Sequence, residues 1–167
     1  RDLHLSLRRQ RQMCIRDRLL VVNLIVKVQN EDFNAQKEIQ FLKESCKEIP
    51  GAINSFVGYV RDFSNNEKIT SLTIEHYEGM TENKLYEISK KAYKRWPLLG
   101  TLIIHRFGNL DTGDQIVLAA SASLHRKAAF ESTAFMMDYL KTSAPFWKSE
   151  NLKNKNIWVD SKLDDEL

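Results

Sequence analysis

The sequence predicts an α+β fold with a mixed or antiparallel sheet and three main helices, in the order β-α-β-β-α-β-β-α-β. Two observations support this class. Apolar, β-branched stretches of strand length are separated by amphipathic stretches of helical length. Between the helices the strands come in pairs, which indicates a mixed or antiparallel sheet rather than the parallel sheet of a strictly alternating chain.

The predicted domain begins with one strand and one helix. Residues 19–28 (LLVVNLIVKV) are apolar and largely β-branched, which indicates a strand. Residues 34–48 carry apolar side chains at helical spacing, and Asn34 suits the N-cap position. The Pro50-Gly51 pair then breaks the chain, so the helix is expected to end before it.

Two strands joined by a polar turn follow. Residues 52–61 alternate as a strand does, and Gly58 inside them suggests a bulge or a close approach of two backbones. Residues 64–67 form the turn, and residues 68–77 form the second strand. The alternation places Ile69, Ser71 and Thr73 on one side of that strand and Leu72, Ile74 and His76 on the other.

The second and third helices are predicted over residues 82–96 and 124–141. Thr81 and Ser123 are candidate N-caps, because a hydroxyl oxygen can accept from the free amides of a first helical turn. Pro145 prevents the third helix from continuing. The expected buried stripes are Leu85, Ile88, Ala92 and Trp96 in the second helix and Ala129, Thr133, Met136 and Leu140 in the third.

The remaining strands are predicted at residues 101–107, 115–123 and 157–159. The first two are apolar runs joined by a turn that contains Thr112-Gly113-Asp114. The third is short and precedes an acidic tail.

Residues 1–18 differ from the rest of the chain in their charge. Their arginines and aspartates give a formal charge of +4, whereas all 167 residues together carry +3. The segment lacks helical amphipathicity and interleaved aromatic residues, and residues 11–18 resemble translated adapter or vector sequence. We therefore expect a non-native or disordered leader at 1–18, a single domain at 19–167, and no nucleic-acid binding, which only the basic leader would favour.

Composition favours a cytoplasmic protein over a membrane or disulfide-rich one. No run approaches the roughly 20 apolar residues of a membrane-spanning helix, and arginines interrupt the short apolar pieces near the N-terminus. Cys14 and Cys46 lack the spacing of a metal or redox site, so we expect free thiols in a reducing compartment.

No motif for a metal, a nucleotide or a nucleophilic serine is present. The four histidines are not spaced with cysteines or carboxylates as metal ligands are. We therefore predict neither a metal nor a cofactor. His76 and His105 lie in strands, where a structural role is favoured over acid–base catalysis.

Two lysines flank an aromatic segment after the third helix. In one interpretation Lys141 simply offsets the negative end of the helix and Lys148 is exposed to solvent. In the other, Pro145, Phe146 and Trp147 form a rigid turn that buries the lysine stems, which lowers their pKa values and permits proton transfer near neutrality.

Three further cations lie where anions could bind. His125 and Arg126 open the third helix, where their charge is unfavourable unless an anion binds the free amides. Arg61 ends a strand just before a loop. A solvent-exposed surface role remains open for all three.

Taken together, these segments closely resemble the molybdopterin synthase catalytic subunit family over residues 20–162. The matching motifs, in order, are Gly51-Ala52, FVGYVR (56–61), EHYEGMT (75–81), RWP (95–97), IHRFG (104–108), Gly113-Asp114, His125-Arg126, Ala129-Phe130, MDYLKT (137–142), APFWK (144–148), Glu150 and Trp158-Val159. Several motifs in the same order make this resemblance far more specific than any single one.

The resemblance implies an α/β-hammerhead fold and a central homodimer within a heterotetramer. Each subunit would bind a small ubiquitin-like sulfur carrier through its C-terminal Gly-Gly thiocarboxylate. Two sulfurs would pass to a cyclic pyranopterin monophosphate and form the molybdopterin dithiolene. Both reactants are anionic, so the site needs converging cations.

The resemblance also implies which residues form the site. Lys141 and Lys148 match the catalytic lysines, with the division of their roles open, and Lys162 stands where the family often has an arginine that reaches across the dimer. The implied substrate-binding residues are Tyr59, Val60, Arg61, His125, Arg126, Lys141, Lys148, Ser149 and Glu150. A non-catalytic module that docks ubiquitin-like tails is the alternative, although it would not need both lysines.

Overall fold

Two sheets and three helices make up residues 23–64, 67–152 and 156–159, the part of the chain that the computed structural model describes. The helices are α1 (Ala35–Ser45), α2 (Met80–Arg95) and α3 (Arg126–Ser143). The strands are β1 (Asn23–Gln29), β2 (Ala52–Tyr59), β3 (Phe63–Ser64), β4 (Glu67–His76), β5 (Leu98–Arg106), β6 (Gly108–Asp111), β7 (Gln115–Ser123), β8 (Phe146–Leu152) and β9 (Asn156–Val159).

The first sheet is mixed and the second is antiparallel. Strand order in the first sheet is β1-β5-β7-β2, with β1 parallel to β5 and the other pairs antiparallel. In the second sheet the order is β3-β4-β8-β9, and β6 also pairs with β4. The predicted α+β class, with such sheets and three helices, is confirmed.

Helices cover both faces of the first sheet. On one face Ile103 and Ala119 pack in a cluster with Leu85 of α2 and Met136 of α3. On the other face, Leu102, Ile104 and Leu118 pack against Leu42 of α1. Since β5 is buried on both sides, its apolar run is nearly continuous, as is typical of a central strand.

Most predicted elements are confirmed within a few residues. Asn34 caps α1, because its side-chain oxygen accepts from the Lys37 amide at 3.0 Å. The predicted irregularity at Gly58 is a register shift between Gly58 and Tyr59, and a Cβ at Gly58 would lie 2.9 Å from Val117 Cγ1. The buried stripe of α3 contains all four predicted residues and that of α2 contains Leu85, Ile88 and Ala92, whereas the predicted Trp96 is only partly buried because it lies at the C-cap.

The N-caps predicted for α2 and α3 are wrong. Gly79 is the N-cap of α2, with a positive φ and its amide donating to the Glu82 carboxylate at 2.6 Å, while Thr81 is buried in the first turn. His125 is the N-cap of α3, and Ser123 ends β7 with its hydroxyl donating to the Pro97 carbonyl. The Ser123 hydroxyl is thus used in a tertiary contact, whereas the buried Thr81 hydroxyl has no hydrogen-bond partner within the described ranges.

The predicted division of β4 into a buried and an exposed face is confirmed only in the second half of the strand. Leu72 and Ile74 are buried as expected, but Ile69 is buried as well. The pairing of β4 with β8 shifts between Ile69 and Ser71, so an extra residue reverses the alternation there.

Position 51 has no room for a side chain. A Cβ built on Gly51 would overlap the carbonyl oxygen of Leu124, in the connection between β7 and α3. Glycine therefore lets the start of β2 pass directly under the segment that leads into α3.

The prediction for residues 1–18 lies outside the described residues, as do Cys14 and Lys162. Within the described ranges, no helix is long and apolar enough to cross a membrane.

Candidate active site

Lys148 lies in a strand rather than in an aromatic turn. The segment interpreted as a turn forms β8, which pairs with β4 on one side and β9 on the other. Trp147 is exposed and meets Tyr77 edge to face, with ring centroids 4.8 Å apart, so it does not enclose the lysine. The helix α3 stops at Ser143, just before Pro145, as predicted.

The side chain of Lys148 rises from the core-facing side of the second sheet. Phe146, Lys148 and Glu150 share one face of β8, since side chains alternate along a strand. Opposite them in register on β4 lie His76, Ile74 and Leu72, of which the last two are buried. The lysine therefore leaves the sheet among apolar neighbours.

Burial lowers the pKa of Lys148, and the charge of Lys141 lowers it further. Lys141 occupies the exposed last turn of α3, where a cation also offsets the helix dipole. A half-buried lysine beside a second cation holds its proton less tightly than a lysine in water. Of the two interpretations given for the lysines, desolvation is therefore supported for Lys148 but not for the exposed Lys141.

A buried histidine lies close to Lys148. His105 is 3% exposed, its Nδ1–H donates to the Arg106 carbonyl at 2.8 Å, and its ring stacks on Phe146 with centroids 3.7 Å apart. Burial lowers the pKa of His105 to about 3, and the positive charge of Lys148 adds to this effect. The imidazole is therefore neutral, with its proton on Nδ1.

His76 lies beside the stacked rings of His105 and Phe146, on the side of β6. Its ring lies 4.4 Å from that of Phe107 and 6.3 Å from that of Phe146, and its buried Nδ1 has no hydrogen-bond partner within the described ranges. Sequence reasoning treated both histidines as structural and did not place them beside the lysines. The pairing of β4 with β8 places His76 near Lys148, and the packing of the first sheet on the second adds His105.

The buried imidazole predicts a loss of stability in acid. Above pH 6.5 His105 is neutral whether the chain is folded or unfolded, whereas below it only the unfolded chain takes up the proton until about pH 3. By about pH 4.5 this group should therefore remove roughly 2–3 kcal/mol of folding free energy. We expect His105→Phe to reduce the difference in unfolding free energy between neutral and acid pH, measured by urea denaturation.

His125→Phe is the matched control, because His125 is exposed. It should leave the acid dependence unchanged. Equal acid sensitivity in His105→Phe and the wild type would show that the buried imidazole does not control it.

The Tyr59–Arg61 segment lies at the same end of the first sheet as this cluster. Val60 is buried, and its amide and carbonyl bond to Asp114 and Gly113 at 2.9 Å each. Val60 also packs with Ile74, in a cluster that Phe146 joins. Tyr59 and Arg61 are exposed beside it, so the structure holds the backbone and leaves their side chains accessible.

His125 and Arg126 lie far from the lysines of the same chain. Both are exposed at the start of α3, whereas Lys141 is in its last turn. At about 1.5 Å per residue, Arg126 and Lys141 are about 22 Å apart along the helix axis. One chain therefore does not bring all the predicted cations together.

Ser149 and Glu150 occupy opposite faces of β8. Ser149 is buried and lies in register between Thr73 and Trp158. Glu150 shares the face of Lys148, but the two side chains form no ion pair. Strand geometry separates residues two apart by about 7 Å, which explains why Glu150 does not contact the amine directly.

An acidic cleft of about 660 Å³ borders His76 on the side of β6 and α2. It is lined by Glu75, Glu78 and Glu82 together with His76 and Phe107. Three carboxylates disfavour a bound anion. Anionic reactants therefore fit the surface near Lys141 and Lys148 better than this cleft.

Comparisons with known proteins agree with the resemblance in the sequence. A family model described as "MoaE protein" matches residues 28–143. The chain is 46% identical over 140 residues to a molybdopterin synthase catalytic subunit of Vibrio cholerae, covering 84% of this chain and 92% of that protein.

Solved structures show the same fold. Molybdopterin cofactor biosynthesis protein E of Burkholderia multivorans superposes with a TM-score of 0.72 at 43% identity, covering 86% of this chain and 92% of that one. A complex of subunits 1 and 2 of the molybdopterin-converting factor from Helicobacter pylori matches with a TM-score of 0.67 at 25% identity, covering 81% and 90%.

Proposed function

Because the chain belongs to the MoaE protein family, we propose that it acts as the catalytic subunit of molybdopterin synthase. It transfers sulfur from the C-terminal thiocarboxylate of a small ubiquitin-like subunit to a cyclic pyranopterin monophosphate, forming the dithiolene. The observation that carries this proposal is the half-buried Lys148, whose pKa is lowered by burial and by Lys141. Such a pair suits anionic reactants and proton transfer.

We assign the two lysines complementary roles. Lys148 holds the thiocarboxylate or the covalent intermediate derived from it, because its amine emerges from an apolar surface on which an anion pairs strongly. Lys141, in the exposed last turn of α3, assists proton transfer and sulfur attack. Tyr59, Val60 and Arg61 border the same end of the sheet, and Ser149 and Glu150 flank Lys148 along β8.

A second copy of the chain supplies His125 and Arg126 in this proposal. The length of α3 separates them from the lysines of their own chain by about 22 Å. In a two-fold dimer the same surface of each copy meets the other, so each site can take the start of α3 from its neighbour. One small sulfur-carrier subunit bound to each copy completes a heterotetramer.

Reconstitution tests the function directly. The purified chain is incubated with a thiocarboxylated small subunit and cyclic pyranopterin monophosphate, and the dithiolene product is measured after derivatisation. We expect two carriers to be consumed for each pterin, and no product from a carrier that ends in an ordinary carboxylate. Carrier binding without product would instead support the non-catalytic docking module.

We predict that sulfur transfer needs no metal ion. The sulfur arrives already activated as a thiocarboxylate, and among the described residues no three His, Cys, Asp or Glu side chains are arranged so that they could hold a metal ion. Exhaustive chelation should therefore leave the rate unchanged. A rate that falls on chelation and returns with a divalent ion would contradict the prediction.

We also propose that the protein works in the cytoplasm. Cys46 is a free thiol whose pKa is raised by burial, which lowers the fraction of reactive thiolate at neutral pH and fits the free thiols expected in a reducing compartment. Cell fractionation with an antibody to the chain tests this, and recovery in an extracytoplasmic fraction would contradict it.

A further inference from the structure

His105 forms a contact between the two sheets close to Lys148. It belongs to β5 of the first sheet, whereas the ring on which it stacks, that of Phe146, belongs to β8 of the second. The planes of the two rings are only 16° from parallel. Phe146 and Lys148 are two residues apart on one face of β8, about 7 Å along the strand, and the charge of Lys148 is close enough to His105 to lower the pKa of the imidazole.

The imidazole is fixed at two points. Its Nδ1–H donates to the carbonyl of Arg106, and its face lies on Phe146. Arg106 is itself anchored, because its guanidinium donates to the carbonyls of Asn30 and Gln115 at 3.0 Å each. The ring is therefore part of the rigid first sheet, against which the lysine-bearing strand packs.

We propose that His105 is a positioning residue for Lys148: its neutral ring, stacked on Phe146, fixes this part of β8 and keeps water from the buried side of the lysine. The inference rests on the proposed function only for the consequence that the lysine is then held for sulfur transfer. His105 itself contacts no reactant and gives up no proton.

The groups around Lys148 explain why a neutral ring is needed at this position. Lys141 approaches from α3, His76 from β4 and Glu150 from the same face of β8. A protonated imidazole at position 105 would add a further cation close to Lys148 and Lys141. A neutral aromatic ring instead supplies volume without charge, so the environment of Lys148 stays dry.

Competitive labelling measures the effect without any reactant. The protein is acylated with acetic anhydride over a range of pH, and mass spectrometry of the peptide that carries Lys148 gives the titration of its amine. We expect Lys148 to titrate below the ordinary range of a lysine amine, and Lys68, an exposed lysine of the same sheet, is the internal reference. In His105→Ala water enters, so the titration of Lys148 should move to higher pH while that of Lys68 stays in place.

His105→Phe separates positioning from general stability. It keeps a stacked ring but loses the bond to the Arg106 carbonyl, so its melting temperature should fall while Lys148 titrates as in the wild type. Leu42→Ala, in the core on the far side of the first sheet, is a control that lowers stability without moving Lys148. If His105→Ala does not fold, Phe146→Ala removes the other half of the stack and should produce the same shift.

An unchanged titration of Lys148 in folded His105→Ala or Phe146→Ala would overturn the proposal. So would a shift in His105→Phe as large as that in His105→Ala. Labelling needs neither the small subunit nor the pterin, so a failure of the proposed function leaves this result intact. Conversely, if Lys148 shifts while the pH profile of sulfur transfer does not, the role of Lys148 in the reaction is wrong and that of His105 stands.

Discussion

Replacing Lys148 with alanine is expected to reduce sulfur transfer by at least about 100-fold, which is the usual effect of losing a charged group that stabilises a transition state. The fold should survive, because the lysine is desolvated and its removal relieves that cost. Single-turnover assays with a thiocarboxylated small subunit measure the loss, and thermal denaturation checks the fold. Lys141→Ala is expected to lose most turnover in the same way.

Two further variants define what Lys148 contributes. Lys148→Arg keeps a positive charge but cannot give up its proton at neutral pH. Partial activity would therefore indicate anion pairing, whereas a loss as large as that of alanine would indicate proton transfer. Lys68→Ala is the control from the same sheet and should be fully active. Normal turnover in Lys148→Ala would remove this residue from the catalytic site.

Arg126→Ala is expected to weaken pterin binding strongly while leaving the unliganded protein as stable as before or slightly more stable. An unpaired cation in the first turn of a helix opposes the dipole by roughly 0.3–1 kcal/mol, and a bound phosphate would offset this while pairing with the guanidinium. Arg126→Lys should recover only part of the binding, because lysine lacks the planar, bidentate geometry. Calorimetry with the pterin and thermal denaturation without it provide the paired measurement.

The matched control for Arg126 is Lys127→Ala. Lys127 lies in the same turn and is exposed, with a surface ion pair to Glu131 at 3.8 Å. It should bind pterin normally. Unchanged affinity in Arg126→Ala would exclude this residue from the site, and a marked loss of stability would show that it is mainly structural.

Mixing the two inactive variants tests whether the site is shared between copies. If Arg126 serves the lysines of its partner, a mixed dimer of Arg126→Ala and Lys148→Ala contains one intact site and one doubly defective site. Random exchange of subunits should then restore about a quarter of wild-type activity, since half of the dimers are mixed. No recovery after verified exchange would place the arginine and the lysine in the same chain's site.

Local signals in the sequence were sufficient for most of the helices and the core. Asn34 predicted the start of α1, because a cap forms bonds within its own turn. The stripe from Ala129 to Leu140 predicted the buried face of α3, since its period depends only on the helix.

The missed features depend on contacts between distant segments. β8 looked like a turn because its hydrogen-bond partners lie in β4, about seventy residues earlier in the chain. The same pairing places Lys148 on the face of the sheet that also carries His76. No local pattern in the sequence indicates this arrangement. Motif order predicted which cations belong to the site, but only the length and direction of α3 showed that Arg126 is remote from Lys141.

The tight crossing of Gly51 beneath Leu124 limits how the sequence can diverge. A larger residue at position 51 would push the backbone of Leu124 outward and tilt the first turn of α3, although position 51 carries no functional group. Its tolerance to mutation is therefore coupled to residues more than seventy positions away, and a change there would need compensation in the connection before His125. Such epistasis would make an apparently neutral loop glycine one of the least replaceable positions in the chain.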